Sequence, residues 1–210
     1  MRRELVQDVR LYLVMGAAVR SGPVEDFLAR VIDAGVGMVQ LRDKTLTDRE
    51  LFKTARLFAD VCRENGALFI VNDRTDVALA SGADGVHVGQ DDMPAADVRR
   101  LAGDDLIIGL STHSPAQIDA AATTTADYIG VGPIYETPTK PGRAAVGLDL
   151  VRYAARVGKP FFAIGGIDRT TAGEVAAAGA RSLSVMRAVT QAEDPQSAVR
   201  DLLDVLIAHR

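Results

Sequence analysis

The 210-residue chain is 48% hydrophobic and 25% charged, with a formal net charge of −4, and neither nucleic acid nor an anionic membrane is expected as its partner. It has no tryptophan and few other aromatics, which leaves little to stack bases on. A single cysteine, Cys62, excludes an internal disulfide and suits a reducing, cytoplasmic setting.

The opening MRRELVQDVR is basic but no apolar run follows it, so neither a signal peptide nor a membrane span is expected. Short apolar runs then begin at Leu11 (LYLVM), Met38 (MVQLR), Leu68 (LFIVN), Gly85 (GVHVG), Leu106 (LIIGLS), Tyr128 (YIGVG), Phe161 (FFAIGG) and Ser182 (SLSVM). They are apolar on both faces, as strands of a buried parallel sheet are. Between them lie helix-like stretches such as DRELFKTARLFADVCREN, SPAQIDAAATT and TTAGEVAAAGA, each preceded or opened by Ser, Thr or Asp as a cap. Cys62 falls in the first of these and reads as a small core residue rather than a nucleophile. Helices repeatedly end in Ala-Gly or Ser-Gly just before a strand, as in DAGVGMVQLRD, ASGADGVHVG and AAGARSLSVM, because glycine reaches positive φ cheaply and stops a helix. About eight β-α units at this length, with no linker or low-complexity run, predict an α/β fold, a single-domain TIM (β/α)8 barrel over residues 1–210. A doubly wound open sheet fits less well, since the first turn, MGAAVRSG, lacks G-x-G-x-x-G.

In such a barrel the chemistry sits at the C-terminal strand ends, and the polar residues of this chain gather there. After the second strand, alternation puts Gln40, Arg42 and Lys44 on the face opposite Val39 and Leu41. An amide, a guanidinium and an ammonium converging there suit an anion, which Arg grips with paired hydrogen bonds. A plainer reading pairs Arg42 or Lys44 with Asp48 or Glu50. After the third strand come Asn72 and Asp73, and after the fourth Gln90, Asp91 and Asp92. Carboxylates at neighbouring strand ends beside cations fit Mg²⁺, which takes one or two of them and completes its shell with water and phosphate oxygens. Capping of the following helices is the alternative for each Asp taken singly. His87 is expected to pack or hydrogen-bond inside the barrel. Ser111 can donate to a phosphate oxygen, Ser114-Pro115 reads as a helix start, and His113 fits a loop hydrogen bond better than acid-base work. The loop GVGPIYETPTKPG offers Thr137, Thr139 and Lys140. Gly165, Gly166, Met186 and Arg187 follow the last two strands, where barrels of this kind often cradle phosphate on backbone N–H groups. Two anionic sites in one mouth point to a joining reaction that releases pyrophosphate.

The set QLRDK, VNDR, GVHVGQDD, GLSTHS, GVGPIYETPTK, AIGGI and QAEDP, in this order over most of the chain, resembles the thiamine phosphate synthase family. The resemblance implies a barrel enzyme, a transferase, that joins a hydroxymethylpyrimidine pyrophosphate to a thiazole phosphate with Mg²⁺. By motif, Gln40, Arg42, Lys44, Asn72, Ser111 and Lys140 would hold the pyrimidine pyrophosphate. Thr137, Thr139, Gly166, Met186 and Arg187 would hold the thiazole phosphate, and Asp73 and Asp92 the metal. The family mechanism it implies is dissociative: pyrophosphate leaves, a pyrimidine methylene cation forms, and the thiazole nitrogen attacks. Arg187 stands where many members have serine, which does not matter if that position acts through its backbone. A thiazole tautomerase or a regulatory thiazole phosphate binder on the same fold is the rival reading, and neither needs the pyrophosphate cluster. Homo-oligomerisation is left open.

Overall fold

Residues 2–20, 22–137 and 144–209 are described in a computed structural model of the chain. Eight parallel strands form a closed barrel: β1 (Leu11–Met15), β2 (Met38–Leu41), β3 (Leu68–Asn72), β4 (Gly85–Val88), β5 (Ile107–Thr112), β6 (Tyr128–Val131), β7 (Phe161–Ile164) and β8 (Leu183–Val185). They pair in chain order, and β8 closes on β1 through Leu11 opposite Leu183 and Tyr12 opposite Ser184. The expected barrel is therefore present. Several strands stop a residue or more before the sequence pattern does, at Leu41, Val88, Val131, Ile164 and Val185. The residues that follow bend out as the loops of the barrel mouth.

Alternation along each strand sorts the side chains into two cores. Val39, Leu41, Phe69, Val71, Val86, Val88, Ile129 and Val131 point outward and pack against the helices. Tyr12, Met38, Leu68, Ile70, Ile107, Tyr128 and Phe162 point inward and fill the barrel axis. The rings of Tyr12, Tyr128 and Phe162 meet edge-on, with centroids 5.1 to 5.9 Å apart, the arrangement that ring quadrupoles favour.

The helices are held by local chemistry. Helix α3 (Asp48–Asn65) opens on a capping box between Thr47 and Glu50, which satisfies two backbone donors that helix starts leave unpaired. Helix α6 (Pro115–Ala122) starts on a Ser114 side-chain cap. Helix α8 departs from expectation. It covers only Ala172–Ala177, and Thr171 makes no side-chain cap bond. The turn before it is held by Asp168 instead, which accepts from the Thr170 N–H at 2.8 Å. The glycines of the three Ala-Gly and Ser-Gly stops, Gly35, Gly82 and Gly179, all have positive φ, as the sequence rhythm requires.

The bottom of the barrel has a closure that the sequence reading did not anticipate. Helix α1 (Arg2–Leu5) and the 3-10 turn Val6–Asp8 place Val6 and Val9 under the inner core. Asp127 accepts from Arg3 Nε at 2.6 Å, from Arg99 Nη2 at 2.8 Å and from the Ile108 N–H at 2.8 Å. That leaves the C-terminal end of the strands as the open side. Among the described residues no helix is long and apolar enough to cross a membrane.

Candidate active site

The open end holds a cavity of about 660 Å³, within the range that takes a small-molecule ligand. Gln40, Arg42 and Lys44 reach it from β2, Asn72 and Asp73 from β3, and Asp92 from β4. Ser111 comes from β5, Thr137 from the loop after β6, Gly166 from β7, and Met186 and Arg187 from β8. Those residues share one space, so the convergence argued from strand alternation is a fact of the fold. Thr139 and Lys140 lie outside the described residues.

Arg42 and Lys44 are not engaged at the start of α3 in the way the plainer reading supposed. Asp48 meets Arg74 Nη1 at 2.5 Å, and Glu50 closes the capping box. Asp43, between the two cations, does not line the cavity. Its carboxylate accepts from the Ala17 N–H at 3.1 Å and from Thr45 N–H at 3.0 Å and Oγ1 at 2.7 Å. It thereby ties the loop after β1 to the loop after β2.

The two proposed metal carboxylates are not helix caps. The residue at the cap position of helix α4 (Thr75–Ser81) is Arg74, and at that of helix α5 (Ala95–Ala102) it is Pro94. Asp73 has a φ of 60°, a left-handed conformation that costs a non-glycine residue free energy and concentrates at functional sites. Asp92 folds back so that its Oδ2 accepts from the Gly89 N–H at 2.7 Å. Burial pushes the Asp73 carboxyl above its ordinary range, the adjacent Asp92 pushes it further, and Lys44 and Arg42 pull it back. Two carboxylates close enough to repel, with hard oxygens and cations around them, fit a divalent cation such as Mg²⁺. Among the described residues no three His, Cys, Asp or Glu form a fuller cage, and Mg²⁺ does not require one.

Deeper in, His87 bonds through Nδ1 to the Tyr128 hydroxyl at 3.1 Å and through Nε2 to Ser111 Oγ at 2.9 Å. It is thus the interior hydrogen-bonding histidine that was expected. His113 contacts the Gly132 carbonyl oxygen through Nδ1, the expected loop bond. Gln90 donates to the Ser111 carbonyl oxygen at 2.6 Å, so it braces the end of β5. Sequence reasoning missed Tyr12, which lines the same cavity. The signal was present: Tyr12 sits at an inward position of β1, two residues before Val14.

On the far side, Gly165 and Gly166 have φ of 102° and 68°. A Cβ on Gly166 would lie 2.6 Å from Tyr135 Cβ, because the loop after β6 runs back over β7. Tyr135 N–H donates to the Gly165 carbonyl at 3.0 Å there. Glycine at 166 is therefore needed for loop packing as well as for any close approach of a phosphate. Arg187 opens helix α9 (Arg187–Thr190), and its side chain is exposed at the cavity rim.

Known proteins match the chain over nearly its whole length. Residues 11–189 match the family model described as thiamine monophosphate synthase. The chain is 48% identical over 204 residues to a thiamine-phosphate synthase of Acidothermus cellulolyticus, covering 96% of each chain. It is 46% identical over 202 residues to one of Streptomyces avermitilis, covering 95% of this chain and 94% of that one. A solved structure of a thiamine phosphate pyrophosphorylase from Pyrococcus furiosus superposes with a TM-score of 0.88 at 32% identity, covering 98% of both. With the barrel, the convergent strand ends and these matches together, the chain belongs to the thiamine monophosphate synthase family.

Proposed function

We propose that the chain is a cytoplasmic transferase that makes thiamine phosphate. It would join 4-amino-2-methyl-5-hydroxymethylpyrimidine pyrophosphate to 4-methyl-5-(2-phosphoethyl)thiazole with Mg²⁺ and release pyrophosphate. The observation that carries this reading is the gathering of Arg42, Lys44, Asp73 and Asp92 from three adjacent strands around one cavity. Family membership and the curated relatives' names support the same activity.

Cleaving a C–O bond to a pyrophosphate builds negative charge on the leaving group. Groups already aimed at that charge lower the barrier without reorganising. Arg42 offers paired N–H donors, Lys44 adds a point charge, and Gln40, Asn72 and Ser111 offer hydrogen bonds around the pyrophosphate. Lys140 is assigned to the same ligand. Asp73 and Asp92 would hold Mg²⁺, which when bound supplies further neutralisation of the phosphate oxygens. The thiazole phosphate is assigned to Thr137, Thr139, Gly166, Met186 and Arg187 across the cavity. Holding the two ligands on facing rims places the thiazole nitrogen for attack on the methylene carbon as the pyrophosphate departs, and orientation of this kind lowers the barrier further.

The test is direct. Purified protein, both phosphorylated precursors and Mg²⁺ should yield thiamine phosphate and pyrophosphate in equal amounts, and a chelator should stop the reaction. Asp92→Ala should cut the Mg²⁺-dependent rate roughly 10²–10³-fold while circular dichroism stays that of the wild type. Undiminished activity in that variant would overturn the metal assignment. Absence of product from the wild type would overturn the function.

A further inference from the structure

A hydrogen-bonded chain crosses the barrel interior at the floor of the cavity. Gln40 Nε2 on β2 donates to the Tyr12 hydroxyl on β1. Tyr12 and Tyr128 on β6 share a bond of 2.9 Å between their hydroxyls. Tyr128 meets His87 Nδ1 on β4 at 3.1 Å, and His87 Nε2 meets Ser111 Oγ on β5 at 2.9 Å. All five residues are buried, from 0% exposed for Tyr128 to 9% for His87. The geometry is built rather than incidental. A Cβ at Gly109 would lie 2.2 Å from the Tyr128 ring and 2.4 Å from His87 Nδ1, so only glycine leaves room for the contact.

A chain of groups with one proton each has a direction. Burial pushes both phenols well above their ordinary values, so each keeps its single O–H. Tyr12 accepts from Gln40, and its proton therefore goes to Tyr128. The Tyr128 proton then goes to His87 Nδ1. A neutral imidazole accepting at Nδ1 carries its proton on Nε2 and donates it to Ser111 Oγ. The Ser111 proton is then left for the cavity. The reverse direction requires the Gln40 carbonyl oxygen to face Tyr12 and the His87 proton to sit on Nδ1. A phosphate only accepts hydrogen bonds, so a phosphorylated ligand favours the outward direction.

We propose that Tyr12 and Tyr128 are positioning residues which, through the His87 tautomer, aim the Ser111 hydroxyl proton at a phosphate oxygen of the bound ligand. The ligand class rests on the proposed function; without a ligand, the direction of the chain rests on the Gln40 amide donating to Tyr12. Because bonds in such a chain polarise one another, charge growing on the departing pyrophosphate is felt as far as Gln40.

The first experiment uses ¹⁵N-labelled wild-type protein without ligand, with spectra recorded at mildly alkaline pH. His87 signals are assigned by their loss in His87→Gln. A protonated Nε2 with a bare Nδ1 is expected, and a protonated Nδ1 overturns the proposal. The second experiment follows turnover. Tyr128→Phe should lower kcat roughly tenfold and leave KM for both substrates within about twofold. In a Ser111→Ala background the same substitution should cost less than about twofold, because its effect passes through that hydroxyl. Equal losses in the two backgrounds would mean a packing role and sink the idea. If Tyr128→Phe does not fold, Tyr12→Phe serves in the same cycle, and the wild-type spectrum decides on its own. A wild type that forms no thiamine phosphate while showing the Nε2 proton would defeat the function and leave the chain's direction standing.

Discussion

Asp73 carries two burdens at once: a left-handed backbone and a carboxyl raised by burial and by Asp92. Both vanish if glycine takes its place. Asp73→Gly should therefore raise stability by about 1 kcal/mol, read as a higher midpoint in urea, while Mg²⁺-dependent turnover falls by two orders of magnitude or more. A loss of stability would mean that the left-handed turn is not strained. Asp43 behaves in the opposite way. Burial pushes its carboxyl up, but hydrogen bonds from Thr45, Ala17 and Leu46 outweigh that and hold it below the ordinary carboxylate range. Its folded value lies under its unfolded one, so its contribution is complete above the unfolded value and is lost as pH falls through the folded one. Asp43→Ala should cost about 1 kcal/mol at neutral pH. The gap to wild type should close as the medium is acidified below about pH 4, and a gap that widened instead would contradict the assignment. Cys62 is plain by comparison: it is fully buried, and burial pushes its thiol up to about 12, so it packs and does not react.

At the scale of elements, the first residues of the loop after β6 are tied to the end of β7. The loop pairs back on β7 through Ile134 N–H to the Ile164 carbonyl at 2.9 Å and Tyr135 N–H to the Gly165 carbonyl at 3.0 Å. Thr137, at the end of its described part, comes to the cavity wall by this route. Gly166→Ala sets a methyl against Tyr135 and forces a positive φ on alanine. A cost of roughly 1–3 kcal/mol is expected, several degrees in Tm for a chain of this size. The affinity for the thiazole phosphate should weaken more than that for the pyrimidine pyrophosphate, since the displaced loop carries Thr137. Isothermal titration with each ligand separates the two, and equal weakening would argue against the division of the cavity into two rims.

For the whole molecule, the closed end matters as much as the open one. Asp127 binds the N-terminal helix through Arg3, helix α5 through Arg99 and the edge of β5 through the Ile108 N–H. Its side chain is only 7% exposed. Removing one partner of a buried ion pair strands the other, at a cost of about 3–5 kcal/mol. Asp127→Ala should lower the urea midpoint by that measure without changing KM, because the cavity lies at the opposite end of the strands. A marginal change would show that the barrel floor is held by its apolar contacts alone.

The sequence by itself determined the barrel, since strand alternation and glycine stops are local and repeat in the printed order of residues. It also determined that Arg42, Lys44, Asp73, Asp92, Ser111 and Gly166 meet, because the barrel rule turns position after a strand into position in space. It left Asp43 without a role and passed over Tyr12 and the Val6 floor. Only the tertiary structure decided the role of Asp43 and the floor, along with the chain from Gln40 to Ser111. Tyr12 and Tyr128 are 116 residues apart, and no periodicity in a sequence encodes which buried hydroxyl faces which. Pairing across the interior is fixed by the closure of β8 on β1 and by the volume that Gly109 leaves empty, quantities that exist only once the sheet has curved shut.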